Sequence, residues 1–271
     1  MSAAPLALVT GSSRGIGAAV AERLASAGAQ VVVCGRTEES ARPTVERIAA
    51  AGGTAWPLAL DVTDAAAVAA APGRVAALAD GRPLDWLVNN AGLAETAPLL
   101  RADDAHYERL LAVNFHGPRR LSAACLPGML ERGSGAIVHV ASSAALRGYA
   151  YVAGYCASKH ALLGWARAAA LELKGSGVAM ATVCPHYVDS PMLDRSVADV
   201  VAKTGKQEAG VREFFQAQNP GGRLVSMDEV AEAVLERLRS GENGAVVELD
   251  GGAPRLQLDP RLGAVTGGAR A

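Results

Sequence analysis

Seven short apolar runs punctuate the chain: Leu6–Val9, Val31–Val33, Trp56–Leu60, Trp86–Val88, Ile137–Val140, Val178–Val183 and Val246–Leu249. None alternates apolar with polar positions, which is the pattern of strands covered by helices on both faces. The stretches between them are rich in Ala and Leu with a helical period. In the first, Ile16, Val20 and Leu24 fall on one stripe, and Gly28 stands where a left-handed residue would close the helix. This alternation predicts an α/β fold, a doubly wound parallel sheet of about seven strands with helices on both faces. One segment breaks the rhythm. From 186 to 222 the chain lacks a clear strand and mixes Met192, Leu193, Phe214 and Phe215 with charges, as a lid over a cleft would. Without a linker or an internal repeat, the pattern predicts one domain over 1–271, with a frayed tail at 266–271.

Composition narrows the function classes. The chain has 271 residues, 50% of them hydrophobic, and a net charge of -1, so it carries no basic field for nucleic acid. No apolar run approaches the roughly 18 residues of a membrane span, and Leu6 to Thr10 is too short for a signal-peptide core. A cytoplasmic protein is expected. Cys34, Cys125, Cys156 and Cys184 are scattered, and the five histidines show no ligand spacing, so neither disulfides nor a metal is predicted.

Thr10-Gly11-Ser12-Ser13-Arg14-Gly15-Ile16-Gly17 follows the first strand and opens the first helix. That is where a pyrophosphate meets backbone N–H groups and the positive end of a helix dipole. The glycine spacing departs from G-x-G-x-x-G. A carboxylate at the end of strand two would bond ribose hydroxyls and repel a 2′-phosphate; here the residue is Gly35, followed by Arg36. Arg36 and Arg14 together form a phosphate clamp, which favours NADP(H) over NAD(H). The competing reading turns Glu38 or Glu39 inward to the ribose. Asp61, beside Val62 after strand three, is placed either at the adenine amino group or as the cap of the helix near Asp64.

The sharpest signal is Tyr155-Cys-Ala-Ser-Lys159, thirteen residues after Ser142. Residues four apart on a helix share a face, so the ammonium lies beside the phenol. A unit charge about 4 Å away at an effective dielectric near 20 is worth roughly 4 kcal/mol, or about 3 pKa units, and brings a phenol from about 10 toward 7. Tyr155 is thereby a candidate acid/base. Cys156 is read as a packed side chain, since no histidine is positioned to activate it.

With the glycine turn, Asn89-Asn90-Ala91-Gly92, Asn114, Ser142 and Tyr-x-x-x-Lys all in order, the chain resembles the short-chain dehydrogenase/reductase family from Leu6 to Gly252. The resemblance implies a Rossmann-like subunit, a nicotinamide cofactor and a catalytic group of Asn114, Ser142, Tyr155 and Lys159. Lys159 would hold the nicotinamide ribose, and Asn114 a water linking it to solvent. Cofactor contacts are implied at Gly11, Ser13, Arg14, Gly15, Ile16 and Gly17 in the turn. Arg36, Asp61 and Val62 follow strands two and three; Asn90, Ala91 and Gly92 follow strand four. Pro185, Val188 and Ser190 follow strand six, where the Ser190 hydroxyl would meet the carboxamide. A homotetramer is also implied, through the helices around 104–130 and 155–173.

This chain departs from the family at Pro185-His186-Tyr187-Val188-Asp189-Ser190, where glycine is usual at position 186. His186 is read as packing or as touching substrate, together with Tyr187, Met192, Ser142 and Tyr155. The branch resembled contains 3-oxoacyl-thioester reductases and 3-hydroxyacyl-CoA dehydrogenases, so a 3-oxoacyl or 3-hydroxyacyl thioester is the expected substrate. Lys203, Lys206 and Arg212 would meet the phosphates of a carrier such as coenzyme A, or form a solvated face with Asp194, Asp199, Glu208 and Glu213. The alternatives are a ketoreductase or alcohol dehydrogenase for polyketide, cyclic or aryl ketones, and a nucleotide-binding sensor or scaffold without turnover.

Overall fold

The computed structural model describes residues 4–262; the tail at 266–271 lies outside the described residues. Seven strands run parallel: β1 (Leu6–Val9), β2 (Gln30–Gly35), β3 (Thr54–Ala59), β4 (Trp86–Asn89), β5 (Gly135–Val140), β6 (Val178–Pro185) and β7 (Val246–Leu249). An eighth, β8 (Arg255–Gln257), was not expected. It turns back antiparallel on β7 and pairs Glu248 with Arg255. Its three residues are exposed, so it has none of the apolar run that marks the others. The order is β3-β2-β1-β4-β5-β6-β7-β8. Sequence order reverses between β1 and β4, and ligands of such sheets bind outside the carboxyl ends of strands at that switch.

Helices α1 (Gly15–Ser26), α2 (Glu38–Ala50) and α9 (Met227–Ser240) cover one face. On the other lie α3 (Ala65–Leu78), α5 (Gly117–Arg132) and α6 (Ala153–Glu172). The strands do alternate, but between two dry cores. Leu6 and Leu8 of β1 pack with Val75, Leu121 and Met129, whereas Ala7 and Val9 pack with Val20, Leu24 and Val234. Burying each such Leu is worth about 1.5–3 kcal/mol, so a one-residue slip of β1 is excluded by packing on both sides.

Two boundaries differ from expectation. Strand three ends at Ala59, and Asp61 caps nothing: Asp64 accepts the α3 N–H groups of Ala66 and Ala67 at 2.9 and 3.1 Å. The segment from 186 to 222 contains two helices, α7 (Pro191–Thr204) and α8 (Glu208–Ala217), around a small core of Leu193, Val197 and Val211. The remaining helix, α4 (Asp104–Leu111), continues through a π-helical stretch, Ala112–His116, into α5.

Candidate active site

The glycine turn is held from β4. The Thr10 hydroxyl accepts the N–H groups of Asn90 and Ala91, both at 3.0 Å. Asn90 in turn donates from its amide to Thr10 O and Gly11 O at 2.9 and 3.1 Å. Ser12 is spent on structure, accepting the Cys34 N–H at 2.9 Å and donating to Val9 O. Gly17 has no room for a side chain, since a Cβ there would sit 2.3 Å from Gly11 O and 2.4 Å from the Asn90 amide. Gly15, at φ +59°, faces Pro191, the first residue of α7. Helix α7 therefore begins directly across from the turn.

This turn suits a dinucleotide phosphate. No side chain caps the first N–H groups of α1, and no acid lies in its first turn. Arg14 and Arg36 are exposed and, among the described residues, bond no acid. Gly35 is required by packing: a Cβ would lie 2.1 Å from Ser40 Oγ, because Thr37 and Ser40 close a capping box at the start of α2. Any carboxylate at position 35 is thus sterically barred. The N–H and hydroxyl of Thr63 hold the Asp61 carboxyl below its ordinary range, with Arg36 nearby adding to the effect. Asp61 and Arg36 flank the same end of the cleft. Glu38 and Glu39 sit exposed in the first turn of α2.

Across the switch point, Ser142 follows β5 while Tyr155 and Lys159 lie on the first turns of α6. Ser142 Oγ accepts the Ala144 N–H at 3.1 Å, which leaves its own proton to donate. It reaches the Tyr155 phenol and favours the ionised form. Lys159 is 4% exposed, and its ammonium donates to Val140 O at 3.2 Å. Among the described residues its other two protons have no partner, and its Nζ lies 3.7 Å from where a Gly92 Cβ would stand. A buried ammonium with unpaired donors is the fit expected for ribose hydroxyls.

The expected collapse of the phenol pKa is not found. Burial dominates, pushing Tyr155 up to about 12 and Lys159 down to about 8. The expectation assumed a charge about 4 Å from the phenol. Instead the ammonium turns to the Val140 carbonyl and stands 5.8 Å from the ring centroid. Two groups that share a helix face here share a low-dielectric pocket, and desolvation outweighs their coupling.

Asn114, on the π-helical stretch, is 1% exposed. Its amide donates to Leu93 O at 2.8 Å and Ser158 Oγ at 3.0 Å, and its Oδ1 accepts Leu93 N–H at 2.8 Å. Both donors are committed to linking the β4 loop to α6, so only the second lone pair of Oδ1 remains for a water.

At the base of the lid, Ser190 Oγ donates to Val188 O at 3.2 Å, leaving its lone pairs free. Pro185 ends β6, and Val188 and Val225 form a bridge. Tyr187 lies edge-on to Tyr149 at 6.4 Å and tilted against Phe215 at 5.0 Å. Met192 is exposed in the first turn of α7.

At two residues where alternatives stood open, the geometry favours one. The His186 side chain is 1% exposed and bonds Glu248 at 2.8 Å, so it points into the fold, as the packing reading has it. Arg212 spans Asp189 and Asp194, joining α8 to α7, and is not free for a carrier phosphate. Sequence reasoning missed Tyr149, Arg147, Glu248 and Asn219. The signal for Glu248 was present, an acid inside the apolar run Val246–Leu249. Asn219, whose amide clasps the Tyr187 backbone at 2.9 and 3.0 Å, had none.

A sequence profile of short chain dehydrogenases matches residues 5–200. The short-chain reductase protein NovJ of Streptomyces niveus is 37% identical over 92% of this chain and 94% of its own length. The 3-oxoacyl-[acyl-carrier-protein] reductase FabG of Escherichia coli K12 is 33% identical over 84% of this chain and 87% of its own. Among solved structures, a Phe-to-Trp variant of actinorhodin polyketide ketoreductase with NADPH superimposes with a TM-score of 0.86 at 32% identity, over 92% of this chain and 97% of that one.

Proposed function

Because the chain belongs to the short chain dehydrogenase family, we propose that it is an oxidoreductase that interconverts a ketone and a secondary alcohol, with NADP(H) preferred over NAD(H). The observation that carries this reading is the convergence of Ser142, Tyr155 and Lys159 on one cleft at the switch point, opposite a glycine turn flanked by two unpaired arginines. NADPH in the related ketoreductase structure supports the cofactor.

When bound, the reduced nicotinamide supplies the hydride. The rest is done by this chain. With its pKa raised to about 12, the phenol of Tyr155 is fully protonated at neutral pH, which is the form needed to donate to an alkoxide developing on the carbonyl oxygen. Ser142 donates to the same oxygen and shares its charge. The free N–H groups of Lys159 orient the ribose, while Asn114 holds α6 and the β4 loop at a fixed distance.

The substrate is a 3-oxoacyl thioester, supported by the likeness to FabG. A second reading, a polyketide, cyclic or aryl ketone, is favoured by the aromatic wall of Tyr149, Tyr187 and Phe215 and by the engagement of Arg212. The reading includes a homotetramer built through α4–α5 and α6, and work in the cytoplasm, where the four buried free cysteines stay reduced. The test is nicotinamide absorbance with NADPH and NADH, comparing an acetoacetyl thioester with an aryl ketone. A higher kcat/KM for the thioester supports the first reading, and a higher value for the ketone selects the second. Cofactor binding with no turnover on either would replace both by a sensor or scaffold, and sedimentation velocity tests the tetramer.

A further inference from the structure

Glu248 sits in the middle of β7 and is 4% exposed. A carboxylate at that depth is costly unless paired, and the same oxygen is met from two directions. His186 Nε2 donates to Oε1 at 2.8 Å, and the Arg147 guanidinium bonds that oxygen as well. Arg255 lies farther off, 4.0 Å from Oε2. Among the described residues the other ring nitrogen of His186 has no partner, and Glu248 is the one side chain there that holds this imidazole by a hydrogen bond.

The two groups bound by Glu248 belong to the two segments that bring Tyr149 and Tyr187 together in the aromatic wall. Arg147 lies on the segment that leaves Ser142, two residues before Tyr149, whose hydroxyl donates to Ser143 at 2.8 Å. His186 immediately precedes Tyr187 at the base of the lid. Those two tyrosines are the rings that meet edge-on. We infer that Glu248 is a positioning residue that sets the separation of the Tyr149 and Tyr187 walls, and with it the breadth of ketone the cleft admits. The inference rests on the reading of this site as a carbonyl oxidoreductase and deepens it. Glycine at position 186 would keep the backbone bond from its N–H to Leu249 O at 2.8 Å, but only a side chain there can meet the Glu248 carboxylate.

The decisive variant is Glu248→Gln, which keeps the shape and removes the charge that holds Arg147 and His186. In the full-length enzyme, the ratio of kcat/KM for a two-ring aryl ketone to that for a single-ring cyclic ketone should rise about tenfold as the walls part. The change should appear in KM, with kcat for the compact ketone kept within about twofold. Arg147→Ala should move the ratio the same way by less. Arg147 has a side chain 43% exposed, so this second variant carries the test if Glu248→Gln fails to fold. A lowered Tm with an unchanged ratio in both variants would reduce Glu248 to structural support and overturn the inference. Hydrogen exchange decides the matter independently of turnover. Amides at 143–149 and at 187–190 should both exchange faster in the variant than in wild type. Acceleration in one segment only, or in neither, would also overturn it, whereas a wild type inactive on every ketone would sink the proposed function and leave this readout standing.

Discussion

At the glycine turn, a single methyl on Gly17 would overlap two neighbours, and Thr10, Ser12 and Asn90 have their hydrogen bonds spent on the backbone. At the lid, Phe214 is 60% exposed and Met192 38% exposed, and the charges of Arg212, Asp189 and Asp194 are paired at the surface. The first region is set by steric exclusion and buried polar pairing, which tolerate no displacement. The second is held by a three-residue core and a few latches. Chemistry common to many substrates needs fixed geometry, so it sits on the rigid side. Discrimination among substrates needs adaptable contact, which in the proposed reading is the part played by the segment 186–222.

The largest effect should come from the rigid side. Tyr155→Phe is expected to lower turnover by about 10²–10⁴-fold while leaving cofactor affinity close to wild type, checked by steady-state kinetics and by titration of NADPH fluorescence. Near-normal turnover would break the assignment of the proton donor. Gly17→Ala follows. Alanine is the better helix former by about 1 kcal/mol, but overpacking against Gly11 O and Asn90 costs about 1–3 kcal/mol. The clash should win, with lower Tm and weaker cofactor binding together; a stabilised variant would show that the turn can yield.

Arg36→Asp probes the open end of the same cleft. It should shift the kcat/KM ratio of NADPH to NADH by about tenfold or more toward NADH, about 1.4 kcal/mol. A wild type that already prefers NADH would return the ribose to Glu38 or Glu39.

A smaller effect tests burial of the ammonium. Lys159 has its ordinary pKa of 10.5 when unfolded and about 8 when folded, so between these values the unfolded chain binds more protons. Folding stability should therefore rise as pH climbs from about 8, by at most ~1.4 kcal/mol per pH unit. The buried thiols of Cys34, Cys125 and Cys184, pushed up from 9.0 to about 12, oppose this from about pH 9, where the unfolded thiols ionise first, and Tyr155 opposes it above about pH 10. Comparing Tm from pH 8 to 9.5 should show a more positive slope in wild type than in Lys159→Met, since the thiols act alike in both. Equal slopes would mean that the ammonium is solvated. Least of all, Phe214→Ala should change stability by about 0.5 kcal/mol or less and alter KM without kcat. A large loss of Tm would show that the lid is built like the floor.

Legibility followed the range of the forces involved. The parallel strands were readable because burial on both faces leaves unbroken apolar runs, and β8 was not, because an exposed edge strand of three residues is held only by its partner. The Ser142, Tyr155 and Lys159 trio was readable because one helix and one strand end carry it, so spacing alone brings the groups together. The state of the phenol was misjudged because it depends on the pocket's dielectric and on where the ammonium turns. His186 and Arg212 stayed between two readings for a related reason. Their partners, Glu248 and the pair Asp189 and Asp194, lie on other elements, and spacing along the chain carries no record of which acid a long side chain will meet.

By itself, then, the sequence determined what repeats locally: strand and helix periods, the glycines of the turn, and the face of α6 that carries Tyr155 and Lys159. Only the tertiary structure decided protonation and pairing, because desolvation and ion pairing depend on every atom within several ångströms of a charge, and those atoms come from strands and helices far apart in the chain.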